Sequence, residues 1–136
     1  SFIFYFIFIC LNKMTSFQKM MKRIFRDPVK IIIEHRIKNG QHTYGIINQY
    51  EIEGYINPAD GDFWDVVIPG YSHKIRTAEF YTNDIIGIFI LESGNHKIFM
   101  RVNYPGYNHQ KSRRDISKYC QEYTRINNLK GKMVYF

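Results

Sequence analysis

Three carboxylates fall within six positions, Asp60, Asp62 and Asp65, in the run Asn57-Pro58-Ala59-Asp60-Gly61-Asp62-Phe63-Trp64-Asp65-Val66-Val67-Ile68-Pro69-Gly70. Each ionised carboxylate raises the energy of ionising its neighbour. A chain that presents three together usually has a hard cation to neutralise them, and an all-oxygen ligand set favours Mg²⁺ or Ca²⁺. The same residues have a plainer reading. Asp-Gly is a common turn dipeptide, and acids at the mouth of a strand often serve only as turn formers and solvated charge. Both readings stand at this point.

The elements around the trio are legible. Asn57-Pro58-Ala59-Asp60-Gly61 reads as a turn, and Val66-Val67-Ile68 as an apolar strand stopped by Pro69-Gly70. Upstream, Thr15 or Ser16 can cap a helix over 17–26, whose apolar Phe17, Met20, Met21, Ile24 and Phe25 recur at helical spacing. Lys19, Lys22, Arg23 and Arg26 fall on its other face, as on a helix packed against a barrel with a wet outer side. Asp27-Pro28 ends that helix, and residues 29–34 read as a buried strand. Asn39-Gly40 marks a hairpin turn before a strand over about 42–55. Further strands are predicted over 84–92 and 97–102. A second helix is predicted over about 112–126, capped by Ser112 or Asp115, with Ile116, Tyr119, Cys120 and Tyr123 as its inward stripe.

The run Asp60-Gly61-Asp62-x-x-Asp65-Val66, preceded by Gly54-Tyr55-Ile56, resembles the signature of the soluble (family I) inorganic pyrophosphatases. Phe63 stands where that family has proline, and Glu53 where it has a tyrosine. The resemblance extends from about Val29 to Val134. It implies an α+β domain, a small closed OB-like β-barrel with an N-terminal helix and a packed C-terminal helix. It also implies Mg²⁺-dependent hydrolysis of pyrophosphate to two phosphates. Asp60, Asp62 and Asp65 would hold Mg²⁺, with Glu92 as a further metal-binding acid. Water with a metal-lowered pKa would attack phosphorus, Asp65 being the residue that orients it. Lys97, with Lys130 and Lys132, would bind the phosphates and neutralise developing charge. Glu34 would face the substrate from a strand end, and Tyr123 would face the site from the C-terminal helix. Asn95 falls where the family places an aspartate two residues before that lysine, and the family's phosphate-gripping arginine has no counterpart. The resemblance further implies a homo-oligomer.

Two other functions fit the same residues. One is a pyrophosphatase fold that no longer catalyses and serves a structural or interaction role. The other is an OB-like module that binds single-stranded nucleic acid through basic grooves and aromatics. Against the second, the carboxylate trio would repel a phosphate backbone unless cations intervene.

Composition agrees with one folded domain that has an anionic partner. The chain has 136 residues, 17% of them aromatic, and a formal net charge of +7. Its two cysteines, Cys10 and Cys120, make neither a disulfide framework nor a CxxC pair, which suits a reducing, cytoplasmic setting. Residues 2–11 form an apolar run, too short for a membrane span of about 20 residues and without the flanks of a signal peptide. An edge strand, a membrane-surface anchor, or sequence upstream of a start at Met14 all fit it. The last is the expectation, giving an apolar extension over 1–13 and one domain over 14–136. His35, His42, His73, His96 and His109 show no metal-binding spacing, and solvated surface is expected for each. No P-loop or dinucleotide-binding glycine motif is present.

Overall fold

A computed structural model describes residues 15–33, 48–69, 80–101 and 108–136. Expectations for Glu34, the Asn39-Gly40 turn, residues 42–47 and the apolar run over 2–11 lie outside these residues.

The first helix among the described residues, α1, spans Ser16–Arg26. Thr15 caps it: its hydroxyl accepts from the Gln18 N–H at 3.2 Å, while the Gln18 side chain accepts from the Thr15 N–H at 2.9 Å. This reciprocal box satisfies two donors that every helix start leaves open. The predicted stripe of Phe17, Met20, Met21 and Ile24 is buried, and Lys19, Lys22, Arg23 and Arg26 are exposed.

Among the described residues seven strands follow: β1 (Val29–Ile33), β2 (Asn48–Ile56), β3 (Phe63–Ile68), β4 (Phe80–Thr82), β5 (Ile85–Leu91), β6 (Lys97–Met100) and, after the next helix, β7 (Gly131–Tyr135). They form one curled sheet in the order β4-β1-β2-β3-β6-β5-β7, an open half-barrel. The predicted strand over 97–102 ends at Met100, with residue 102 outside the described set. All neighbours run antiparallel except β3 and β6, which are parallel with Val66 opposite Ile98 and Val67 opposite Phe99.

Between β6 and β7 lies the second helix, α2, over His109–Asn127. It starts earlier than its composition suggests. Asn108 is the cap, its side chain accepting from the Lys111 N–H at 2.9 Å, whereas Ser112 and Asp115 are buried within the helix. Asn108 wins because its backbone is extended and its short side chain reaches the open donor. At the other end Asn128 takes a left-handed conformation with φ 50°, and its N–H donates to the Thr124 carbonyl.

The two described helices cover opposite faces of the sheet, and strand alternation sorts the core accordingly. Trp64, Val66 and Ile68 of β3, with Ile98 and Met100 of β6, join Phe17, Met20, Met21 and Ile24 of α1. Val67, Phe89, Leu91 and Phe99 face the other way, onto Ile116, Tyr119 and Tyr123 of α2. The β5–β7 pairing is so close at Gly87 that any Cβ there would collide with the Val134 carbonyl oxygen. No helix among the described residues is long and apolar enough to cross a membrane.

Candidate functional site

Alternation puts Asp65 on the same side of β3 as Val67, and Lys97 on the same side of β6 as Phe99. Parallel pairing of these strands brings the two charged residues level, under α2. The Lys97 ammonium donates to Asp65 Oδ2 at 2.5 Å, and both side chains are only 3% exposed. The second carboxylate oxygen, Asp65 Oδ1, is buried with no hydrogen-bond partner among the described residues.

Two further groups complete this buried row. Glu51 on β2 is directly opposite Asp65 in the antiparallel register and is 0% exposed. Side chains so placed have Cβ atoms about 4.5–5.5 Å apart, on one face of the sheet. Tyr123 of α2 lies over the pair, its ring centroid 5.3 Å from Lys97 Nζ, a cation–π distance. Tyr123 is held in turn by Tyr119, stacked at 6.0 Å, and by an edge contact with Phe89.

A buried row of two acids and one base has definite energetics. Desolvation penalises each charge, and deleting one partner of such a pair typically costs about 3–5 kcal/mol because the other is left uncompensated. A polar row of this kind inside a curled sheet therefore marks a place where charge is kept at a cost in stability.

The other two aspartates sit at one end of β3. The turn from Asn57 to Asp62 is closed by the Asn57 N–H donating to the Asp62 carbonyl at 2.7 Å and by the Gly61 N–H donating to the Asn57 carbonyl at 2.8 Å. Gly61 needs its missing side chain here, with φ 78°. Asp60 is exposed, and its Oδ1 accepts from the Asp62 N–H at 2.9 Å. Asp62 is half-buried. Asp60 through its side chain and Asp62 through its backbone thus take part in the turn, while Asp65 belongs to the buried row.

The loop that leads into Lys97 is tied to this turn. Asn57, fully buried, donates from Nδ2 to Asn95 Oδ1 at 2.7 Å. His96, expected on the solvated surface, is instead half-buried. It stacks on Trp64 with centroids 6.1 Å apart and makes an edge contact with Phe17. Its Nδ1 accepts the Leu91 N–H at 3.0 Å, so the ring sits neutral with its proton on Nε2. Burial first, and then the adjacent Lys97 charge, lower its pKa from 6.5.

The remaining predicted residues lie away from the pair. Glu92 is exposed and accepts the Lys130 N–H on Oε1 at 3.0 Å, clamping the entry to β7. Lys130 and Lys132 are exposed, with Lys132 opposite Ile90 on the β7 edge. Glu53, which stands where the pyrophosphatase pattern has a tyrosine, forms an ion pair with Lys30 at 2.9 Å across the β1–β2 ladder. No motif or spacing in the sequence points to Glu51, and the spacing of the histidines carries no signal for the contacts of His96.

The donor set agrees with a Mg²⁺ ion on one observation and is sparse on another. Asp65 Oδ1 is an orphaned hard oxygen beside a second buried carboxylate. Among the described residues, no three His, Cys, Asp or Glu converge as a ready-made metal cage. Mg²⁺ holds several of its own waters and binds through one or two carboxylates plus phosphate oxygens, so it requires no such cage. Comparison with protein families, curated proteins and solved structures gives no match.

Proposed function

We propose that this chain hydrolyses inorganic pyrophosphate to two phosphates with Mg²⁺, as the resemblance over residues 54–70 implies. The observation that carries the reading is the meeting of Asp65 and Lys97 as a buried pair. They are the third motif aspartate and the matched phosphate-binding lysine, 32 positions apart in sequence.

In this reading Asp60, Asp62 and Asp65 would hold the cation, which when bound supplies charge that lowers the pKa of a coordinated water. Lys97 brings an ammonium into a dry environment, where its attraction for a phosphoryl oxygen is far stronger than in water. Tyr123 holds that ammonium from above and excludes solvent. Asp65 Oδ1 is an acceptor with nothing bonded to it among the described residues, placed to orient a water proton. Lys130 and Lys132 would bind outer phosphate oxygens as exposed point charges. The half-barrel would be part of the small closed OB-like barrel of that family, in a cytoplasmic homo-oligomer.

A second reading has its own support. Glu92, a candidate metal ligand, is engaged by the Lys130 N–H, and Asn95, in an aspartate position, is engaged by Asn57. Those bonds favour a scaffold of the same descent without catalysis. Phosphate release from pyrophosphate with and without Mg²⁺ decides between them, with Asp62→Asn as control. Mg²⁺-dependent release that the substitution abolishes is expected. A folded chain that releases none is the non-catalytic scaffold.

A further inference from the structure

Lys97 and Asp65 are an amine and a carboxyl group in contact, with Nζ 2.5 Å from Oδ2 and both side chains 3% exposed. They are the two halves of an amide. Parallel pairing of β3 and β6 holds them level, among the apolar Val67, Phe89, Phe99 and Tyr123 of the α2 side. Glu51, a third acid on this face and 0% exposed, is opposite Asp65 on β2. We infer that Lys97 and Asp65 condense within the folded chain into an isopeptide bond between Nζ and Cγ, with Glu51 carrying protons, so that β3 and β6 become covalently joined. The inference rests on the non-catalytic reading of the site, because the bond removes the ammonium and the carboxylate that hydrolysis would use.

The chemistry needs nothing beyond these three side chains. A proton passing from Nζ to Oδ2 leaves a neutral amine beside a neutral carboxylic acid, with the total charge of the pair unchanged. The nitrogen lone pair then adds to Cγ and forms the C–N bond. Glu51 takes a proton from that nitrogen and delivers it to the departing oxygen, which is general acid–base work. Facing cross-strand residues have Cβ atoms about 4.5–5.5 Å apart, and Glu51 has one methylene more than Asp65 with which to span that gap. The C–O bond breaks and one water leaves, made of an Asp65 oxygen and two of the three ammonium protons. Positioning drives the step, since well-oriented intramolecular partners reach effective molarities of about 10⁵–10⁸ M. Burial adds to it, because condensation removes two desolvated charges at once. It also removes one of two carboxyl oxygens where Asp65 Oδ1 already has no hydrogen-bond partner among the described residues. The product closes a covalent loop between strands 32 positions apart, which restricts the unfolded chain as a disulfide does.

Intact-mass spectrometry of the denatured full chain tests the bond, followed by protease digestion to locate it. The wild type is expected to weigh less than its sequence by one water, and its digest to contain the Asp65 and Lys97 peptides joined. Lys97→Arg, which keeps the charge but offers no amine, is expected at full mass. Glu51→Gln, which keeps the shape of the proton carrier but not its chemistry, is expected at full mass or to lose the water far more slowly. A wild type at full mass after prolonged incubation at neutral pH overturns the inference, whether or not the variants fold. So does a water loss that persists in Lys97→Arg, or one that the digest places at Asp60-Gly61, where ring closure of an aspartate releases the same mass. Phosphate release from pyrophosphate is measured on the same sample. A bonded chain that releases phosphate upholds the bond and shows that hydrolysis does not use Lys97. A bonded chain that releases none upholds the bond and the scaffold together. A chain at full mass refutes the bond whether or not it hydrolyses, and its phosphate release then judges the hydrolysis separately.

Discussion

The Asn57 carboxamide donates to Asn95 Oδ1 at 2.7 Å, and this bond joins the turn bearing Asp60 and Asp62 to the loop that leads into Lys97. Asn57 also uses its own backbone groups and its Oδ1, which accepts the Ala59 N–H at 2.9 Å. One buried side chain thus sets where two of the motif aspartates lie relative to the lysine.

Asn57→Ala should lower stability by about 1–3 kcal/mol, since it strands buried polar partners. Asn95→Asp keeps an acceptor for Asn57 and should stay within about 1 kcal/mol of the wild type by the same reasoning. Urea unfolding measures both. If the proposed hydrolysis is correct, Asn95→Asp also raises Mg²⁺-dependent phosphate release, because it restores an acid beside the site. Equal destabilisation by the two substitutions would show that the clasp is not what holds the turn.

For the buried pair, Asp65→Leu and Lys97→Met should each cost about 3–5 kcal/mol in metal-free buffer. The double variant should cost much less than their sum, because with both replaced by apolar groups neither member of the pair is left without the other. Denaturant midpoints for all four chains complete the cycle. Additive losses would mean that the two charges are not energetically coupled.

Stability should depend on pH through His96. Its pKa is lowered on folding, so between the folded value and 6.5 the unfolded chain binds more protons. The contribution is therefore fully present above pH 6.5 and falls as the pH drops below it. Protonation would also put a donor where Nδ1 accepts the Leu91 N–H. Urea midpoints at several values between pH 5 and 8 should slope more steeply for the wild type than for His96→Gln. Parallel slopes would remove His96 from the account.

Cys120 should be inert in the folded chain. Burial against the α2 face of the core pushes its thiol up to about 12, and only the thiolate is nucleophilic. In a Cys10→Ser background, a thiol reagent at pH 8 should label Cys120 slowly in buffer and promptly in denaturant. Equal rates would show that the α2–sheet contact opens freely.

The local code was readable where a single element supplies the physics. Thr15 and the Phe17–Ile24 stripe define α1, because capping and amphipathic spacing are properties of a few neighbouring residues. The inward stripe of α2 was readable for the same reason, although its cap shifted to Asn108. Glu51 was missed because a charged residue in a strand normally faces water. Its flanking Tyr50 and Ile52 are buried on the α1 side, and nothing in sequence says that α2 covers the other. His96 carried no signal in its spacing, since its role is set by Trp64 and Phe17 from distant elements.

By itself, the sequence determined the types and crowding of the acids, the turn at Asn57–Gly61, both helices and the alternation that assigns each strand residue a side. Only the tertiary structure decided that Asp65 is buried while Asp60 is exposed and Asp62 half-buried, and that Lys97 is the ion-pair partner of Asp65. The reason is physical: β3 and β6 pair in parallel across 32 positions of chain, and such long-range register is set by the packing of the whole sheet between two helices, which no local pattern encodes.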